Sequence, residues 1–374
     1  MPSTLDQERL NAIAPYFTMF PLEYPLAAIE EYSRPGDLVL DPFCGRGTTN
    51  YAARVLGRST YGIDCNPVAV AVARAKMVSP TPEEISAEAR AILGSSGRLR
   101  IPKGVFWTLA YSPDVLRQIV AFRQAFLESC RSAARIALRA IILGALHGPK
   151  NKGQPSYFSN QCPRTYAPKP DYAVSFWIKR GMLPVDVDVL EVIVRRANRY
   201  YGQAIQKVSY HISSGDARQR TPYSDLLRGR KADLIVTSPP YPGMVTYYTD
   251  QWLRNWFLGG PERVDYRENR GIRDLKREEF IRSLRDVWFR SAECSSPHAH
   301  LLCRFGVLPS YSASKRAMIV SSFRDTPWRV EEIRSAGAAR KGKRIADTFM
   351  GERSSAPNEE IDLVCSKRPT SRSA

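Results

Sequence analysis

The chain has 374 residues, 43% of them hydrophobic, which is enough apolar material for a sizeable core and argues against global disorder. Lys and Arg number 55 against 37 Asp and Glu, and the net charge of +18 points to a polyanionic partner, nucleic acid ahead of an anionic membrane. Seven scattered cysteines with no CxxC pair suggest neither a zinc site nor a disulfide framework, so no metal and a reducing compartment are expected.

Near the start, Asp6, Glu8 and Arg9 lack the basic-then-apolar layout of a secretory leader. Residues 20–35 read as an amphipathic helix ended by Arg34-Pro35-Gly36. Leu38-Val39-Leu40 is a buried-strand pattern running into Asp41, followed by a helical stretch at 52–56. Thr60-Tyr61-Gly62-Ile63-Asp64 is a second strand ending in an acid, and Asn66-Pro67 opens a helix that reaches Met77. That β-α-β-α order begins a doubly wound sheet. From Ser79 the pattern changes: 79–82 reads as a linker, 82–94 and 112–146 as helices, 149–172 as a long basic loop, and about 185–204 as a further helix. The longest apolar run, 136–146, is broken by Arg139 and too short to span a bilayer, so a soluble, cytoplasmic protein is expected. Sheet patterning resumes at 208–212, leading into Gly215-Asp216, and continues in a strand at 232–237. Helices are expected near 248–258, at 276–291 and at 314–324, a Ser-rich turn at 309–314, and strands at 298–305, 328–333 and 361–367. The division expected is an α/β domain from 1–78 and 205–374, with 79–204 as a largely helical insertion.

Two stretches carry chemistry. Thr237-Ser238-Pro239-Pro240-Tyr241 closes a buried strand, and ligands of open α/β sheets bind at that edge. Consecutive prolines fix two φ angles and remove two N–H donors, leaving the preceding carbonyls rigid and open as acceptors. A serine hydroxyl, a fixed carbonyl and an aromatic face suit a planar base held by its exocyclic amino group; a proline-rich turn explains the same residues. Upstream, Asp41-Pro42-Phe43-Cys44-Gly45-Arg46-Gly47-Thr48-Thr49 joins the first strand to its helix. Glycines 45 and 47 allow a tight turn and close approach of a ligand, and the helix start offers free N–H groups. Asp64, 23 residues after Asp41, stands where an acid commonly binds ribose hydroxyls, and Asp216 is placed to accept from an adenine amino group. Each acid alone is also explained as a cap or turn former. The loop lacks the G-x-x-x-x-G-K-[ST] cradle, which disfavours a nucleoside triphosphate relative to a nucleoside joined to a small zwitterion.

DPFCGRGTT, then GIDCNP, then TSPPY resembles the S-adenosylmethionine-dependent DNA amino-methyltransferases, which make N4-methylcytosine or N6-methyladenine. The resemblance covers roughly 14–78 and 205–368 and implies a Rossmann-like methyltransferase sheet. It also implies S-adenosyl-L-methionine as cofactor: Asp41, Pro42, Phe43, Cys44, Gly45, Gly47, Thr48 and Thr49 at the methionine part, Asp64 with Cys65 and Asn66 at the ribose, and Asp216 with Ala217 at the adenine. Phe17-Thr18-Met19-Phe20-Pro21 resembles the family's segment over the methionine end, placing Thr18 and Phe20 among the cofactor contacts. Ser238, Pro239, Pro240 and Tyr241 are then the catalytic tetrad. A leading serine is more typical of N4-cytosine enzymes, and Asp or Asn of N6-adenine enzymes. N4-cytosine methylation is therefore the expectation, with N6-adenine as the alternative.

No cysteine lies in or beside TSPPY, so carbon-5 methylation through a covalent adduct is not expected. Direct displacement remains, with Ser238 and the Pro239 carbonyl accepting from the amino group and Tyr241 stacking on the base. A base within a duplex must be flipped out to reach such a site, at a cost of a few kcal/mol that phosphate contacts offset. Double-stranded DNA is the expected partner, with a cognate restriction endonuclease possible and the protein a monomer or homodimer. The segment 149–180 and Arg340-Lys341-Gly342-Lys343-Arg344 are candidates for target contact, since they mix cations with aromatic residues or cluster cations alone. Trp252 and Trp256, four apart, read as core; His147 and His211 read as structural. The catalytic tetrad follows 197 positions after Asp41, leaving the recognition region at 79–204, at 242–280, or at both. An RNA guanine-N2 methyltransferase and a non-catalytic DNA-binding module are the competing readings.

Overall fold

The computed structural model describes residues 4–15, 21–95, 97–148, 155–162, 169–203, 205–240, 251–264, 277–307, 312–338 and 359–368. Seven strands form one sheet: β1 (Leu38–Asp41), β2 (Ser59–Asp64), β3 (Tyr210–Ser214), β4 (Ala232–Thr237), β5 (Ser295–Val307), β6 (Trp328–Ala338) and β7 (Glu359–Lys367). Their order is β3-β2-β1-β4-β5-β7-β6. The first five pair in parallel, and β7 runs antiparallel between β5 and β6. Strand order reverses between β1 and β4, and a crevice at the carboxyl edge of such a switch point is where doubly wound sheets bind ligands. All four residues of β1 and five of six in β4 are buried, which is why both read as apolar runs rather than as alternation.

In chain order the helices are α1 (Thr4–Asn11), α2 (Glu23–Tyr32), α3 (Thr48–Val55), α4 (Pro67–Ala75), α5 (Pro82–Gly94), α6 (Val105–Ala110) and α7 (Pro113–Glu128). They continue as α8 (Ala133–Ala145), α9 (Pro170–Lys179), α10 (Val189–Tyr201), α11 (Ser224–Arg228), α12 (Trp252–Phe257), α13 (Arg277–Glu293) and α14 (Ser312–Ser322). None among the described residues is long and apolar enough to cross a membrane.

Two compact units result, one of 1–15, 74–205 and 246–269, the other of 16–73, 206–245 and 270–374. The second holds the sheet. Its core joins strand residues such as Leu40, Ile63, Ile235 and Leu301 to Phe280, Leu284 and Trp288 of α13 and Phe323 after α14. The first is helical, with side-chain caps at Thr81, Ser112, Ser132 and Asp188 starting α5, α7, α8 and α10.

The helical unit is larger than the expected 79–204 because it takes in both 1–15 and 246–269. Lys76 donates to Asn11 Oδ1 at 2.7 Å, and Arg254 donates to the carbonyls of Leu143 and Pro15 at 3.0 and 2.6 Å. Trp252 and Trp256 are buried, as expected, with Trp256 at 4.4 Å from Trp107 and Trp252 at 5.1 Å from Phe106. The expected helix at 112–146 is two helices, broken where Ser132 caps α8. The basic stretch expected as loop becomes helix from Pro170: proline at the first turn is no obstacle, and Ala173 and Trp177, four apart, bury one face. The basic cluster 340–344 and most of 149–168 lie outside the described residues.

Candidate active site

The carboxyl ends of β1 to β4 line one edge of the sheet and are laced together by the loops that leave them. Cys44 N–H donates to the Ile63 carbonyl at 3.0 Å, and Gly215 N–H donates to the Asp64 carbonyl at 3.0 Å. The Asp64 carboxylate accepts from Gly45 N–H at 2.9 Å through one oxygen and from Asn66 N–H at 2.8 Å through the other. The residue is half-buried, so part of it faces solvent at this sheet edge. Beside it Cys65 is exposed and Asn66 half-buried, with Asn66 Oδ1 accepting from Val68 N–H at 2.9 Å at the start of α4.

The glycine loop offers less surface than its sequence suggests. Pro42, Cys44, Thr48 and Thr49 are buried, while Phe43 and Gly45 are partly exposed. Both glycines have positive φ, 51° at Gly45 and 73° at Gly47, but they serve different ends. A Cβ on Gly45 meets nothing nearer than 4.0 Å, whereas one on Gly47 meets the Cβ of Ala73 at 2.8 Å. Gly45 therefore leaves room for a ligand, and Gly47 lets α3 approach α4.

Asp41 was expected among the cofactor contacts, yet its side chain is 1% exposed. The carboxyl accepts from the Thr237 hydroxyl at 2.7 Å and from Phe43 N–H at 3.1 Å. Burial pushes its pKa up to about 6 against the lowering effect of those hydrogen bonds. Its carboxyl thus ties the glycine loop to the residue before Ser238 instead of facing a ligand.

At the end of β3, Tyr223 donates to the Ala217 carbonyl at 3.0 Å and fixes the 216–217 turn. The Asp216 carboxylate is already engaged. Arg218 donates through Nε at 3.0 and 2.9 Å and Nη2 at 2.5 Å, and its backbone N–H adds a fourth contact at 2.9 Å. Burial raises the Asp216 pKa, but these hydrogen bonds and the guanidinium charge outweigh it and hold the carboxyl below its ordinary value. Arg218 and Thr237 are the two residues that motif spacing did not single out as site residues. Each sits within two positions of one that it did.

Ser238 follows β4 half-buried, Pro239 is buried and Pro240 half-buried. The β4–β5 register, Thr237 opposite Cys303, brings Arg304 alongside this turn. Arg304 is held by Asp362 with two hydrogen bonds of 2.7 Å and lies 3.7 Å over the Tyr24 ring. Tyr241, Thr18, Phe20, Tyr247 and Tyr248 lie outside the described residues. His211 is structural: it stacks on Tyr61 at 4.7 Å and pairs with Asp225 at 3.3 Å. His147, in the helical unit, is buried between Ser159 at 2.6 Å and Cys162 at 3.4 Å. Among the described residues no cluster of His, Cys, Asp and Glu could hold a metal ion.

Strand order, the antiparallel β7 and the laced loops define a Rossmann-like α/β methyltransferase fold. Residues 2–75 match the family model described as DNA methylase. A Haemophilus influenzae protein, type II methyltransferase M.HinfI, is 44% identical over 55 residues, 14% of this chain and 15% of that protein. Type II methyltransferase M.EcaI of Enterobacter cloacae is 62% identical over 32 residues, 9% of this chain and 7% of that protein. The matched stretches thus span well under a fifth of either relative. Among solved structures, the rRNA methyltransferase aviRa from Streptomyces viridochromogenes aligns with a TM-score of 0.35 at 12% identity, over 97% of this chain and 94% of that one.

Proposed function

We propose that the protein is an S-adenosylmethionine-dependent DNA amino-methyltransferase acting on the exocyclic N4 of cytosine. The observation that carries the reading is the joining of two chemical motifs at one sheet edge: Thr237, leading into Ser238-Pro239-Pro240, is hydrogen-bonded at 2.7 Å to Asp41, leading into the glycine loop. The residues suit the cofactor: a half-buried carboxylate at Asp64 for ribose hydroxyls, and an open Cβ position at Gly45 for close approach. Bound S-adenosylmethionine supplies a methyl group on a cationic sulfur.

The chain's own residues supply position and acceptors. Ser238 Oγ and the Pro239 carbonyl accept from the two amino hydrogens, which favours a pyramidal nitrogen whose lone pair is free to attack. Rigidity matters here, because acceptors fixed before reaction stabilise the charge that develops on nitrogen without reorganising. Proline at 239 and 240 and the Thr237–Asp41 bond provide that rigidity. Serine at the head of the tetrad favours cytosine over adenine. The same geometry serves N6 of adenine, which is the second reading.

The test is to incubate the protein with methyl donor and duplex DNA or RNA, digest, and identify the methylated nucleoside by mass spectrometry. N4-methylcytosine is the expected product. N6-methyladenine moves the target and keeps the mechanism, and methylguanine in RNA with no DNA product overturns the reading. Ser238→Ala should lower turnover by about 10- to 1000-fold, as loss of one preorganised polar contact does, with cofactor affinity within about twofold. Equal losses in both would remove Ser238 from the chemistry.

A further inference from the structure

Helix α9 carries two faces of different character. Pro170, Ala173 and Trp177 are buried, and the Trp177 indole donates to the Gln161 carbonyl at 2.8 Å, anchoring the helix within its unit. Along an adjacent face Tyr172, Phe176 and Arg180 recur every four residues. The Tyr172 and Phe176 rings stack with centroids 6.5 Å apart and planes at 25°, and the Arg180 guanidinium lies 3.9 Å over Phe176. Tyr172 is 47% exposed, and Lys179 and Arg180 are both exposed. In the turn that follows, Leu183 is 78% exposed, more than any other large hydrophobic residue described.

What separates this surface from an ordinary solvated helix is the combination of exposed cations with stacked rings. On the same unit Arg117, Arg135 and Arg195 are each paired with a carboxylate, while Arg131 and Arg199 are exposed without an ion pair among the described residues. Among the described residues neither Lys179 nor Arg180 forms an ion pair, and Asp171 is the one acid within α9. A guanidinium over a ring retains N–H donors that can meet an oxyanion. Exposed apolar side chains beside unpaired cations suit a polyanion with planar, stackable groups better than they suit the mixed-charge surface of a protein.

We infer that the face of α9 formed by Tyr172, Phe176, Lys179 and Arg180, with the Leu183 turn beside it, docks duplex DNA. The inference rests on DNA being the substrate, as proposed above. Lys179 and Arg180 meet phosphates, Phe176 holds the guanidinium in place, and Leu183 supplies an apolar edge against the groove.

The experiment uses the full-length protein and a fluorescent duplex, with binding followed by anisotropy across a salt series. Two phosphate contacts contribute roughly 2 to the slope of log affinity against log salt. K179Q/R180Q should therefore lower that slope by roughly 1 to 2 and weaken binding about tenfold near 0.1 M salt. Phe176→Leu, which keeps the helix apolar but removes the ring, should weaken it about two- to fivefold. Cofactor binding by calorimetry should stay unchanged in all variants, which reports an intact fold. Wild-type duplex affinity and slope in K179Q/R180Q would overturn the inference. So would unchanged DNA binding with loss of self-association in sedimentation, which would assign the face to a second copy. A wild-type protein that methylates DNA while the variants bind normally sinks this inference alone; one that binds cofactor but neither binds nor methylates DNA sinks the proposed function with it.

Discussion

Arg218 and Asp216 illustrate how a single neighbour changes what an acid can do. A carboxylate has about four acceptor positions, and three N–H groups of Arg218 already meet Asp216: the backbone N–H, Nη2, and an Nε–H shared between both oxygens. An adenine amino group reaching the same oxygens competes with the guanidinium. The pair is part-exposed, with side chains 39% and 27% accessible, so holding it together is worth at most about 1 kcal/mol. Arg218→Ala should thus raise cofactor affinity by about fivefold, read by calorimetry with an S-adenosylmethionine analogue. A lower affinity would make Arg218 a contact rather than a competitor. Asp41 carries a pH signature instead. Its pKa of about 6 in the folded chain exceeds the ordinary 3.8, so between those values the native state holds more protons than the unfolded one. Stability then falls as pH rises from about 4 to 6, by about 3 kcal/mol over the full window. In urea titrations at pH 4.5 and 7.5, Asp41→Asn should gain on the wild type as pH rises; parallel pH curves would mean that Asp41 ionises normally.

At the scale of elements, the two loop glycines separate what the sequence shows from what packing decides. Gly47→Ala places a methyl group 2.8 Å from Ala73 at a φ of 73°, and should cost about 2–4 kcal/mol in chemical denaturation. Gly45→Ala meets nothing nearer than 4.0 Å and should cost about 1 kcal/mol, mainly from its φ of 51°. Comparable losses would remove the distinction. Both glycines sit in the same GxG and look alike on paper, because α4, which separates them, is a tertiary neighbour. Most strand ends are readable for the opposite reason: Leu38–Asp41, Ser59–Asp64 and Ala232–Thr237 are short, β-branched or apolar stretches, mostly buried, that each stop at a polar residue. Helix α9 was hidden by its composition. Pro168 and Pro170 with Lys169 read as loop, and only burial of Ala173 and Trp177 makes the helix worth forming. The Arg218 contact was within reach of the sequence, two residues from its acid, but no spacing rule distinguishes an arginine that folds back from one that points to solvent.

For the whole molecule, the division of the chain matters more than its length. The helical unit is assembled from three separated segments, and its aromatic core joins Trp107 of α6 to Trp256 of α12 at 4.4 Å. Residues 74–205 expressed alone lack Trp252, Trp256 and the Arg254 hydrogen bonds to Leu143 and Pro15. That fragment should melt without a cooperative transition in circular dichroism, whereas the full chain should melt cooperatively. A cooperative fragment would mean that 1–15 and 246–269 are accessory. Within the full chain, Trp256→Ala should destabilise by about 3–5 kcal/mol, as other large-to-small changes at buried aromatic residues do.

The Arg254 contacts also set a timetable for synthesis. A ribosome delivers residues in order, yet the carbonyls of Pro15 and Leu143 wait for a side chain made more than a hundred residues after the second of them. The sheet waits longer: β5 is bordered by β7 (Glu359–Lys367). The early segments of each unit are therefore made before the segments they pack on, and the apolar face of Trp107 stays uncovered until α12 is made. Slow delivery of residues 246–367 should favour aggregation, and chaperones that hold exposed helices should raise the soluble yield.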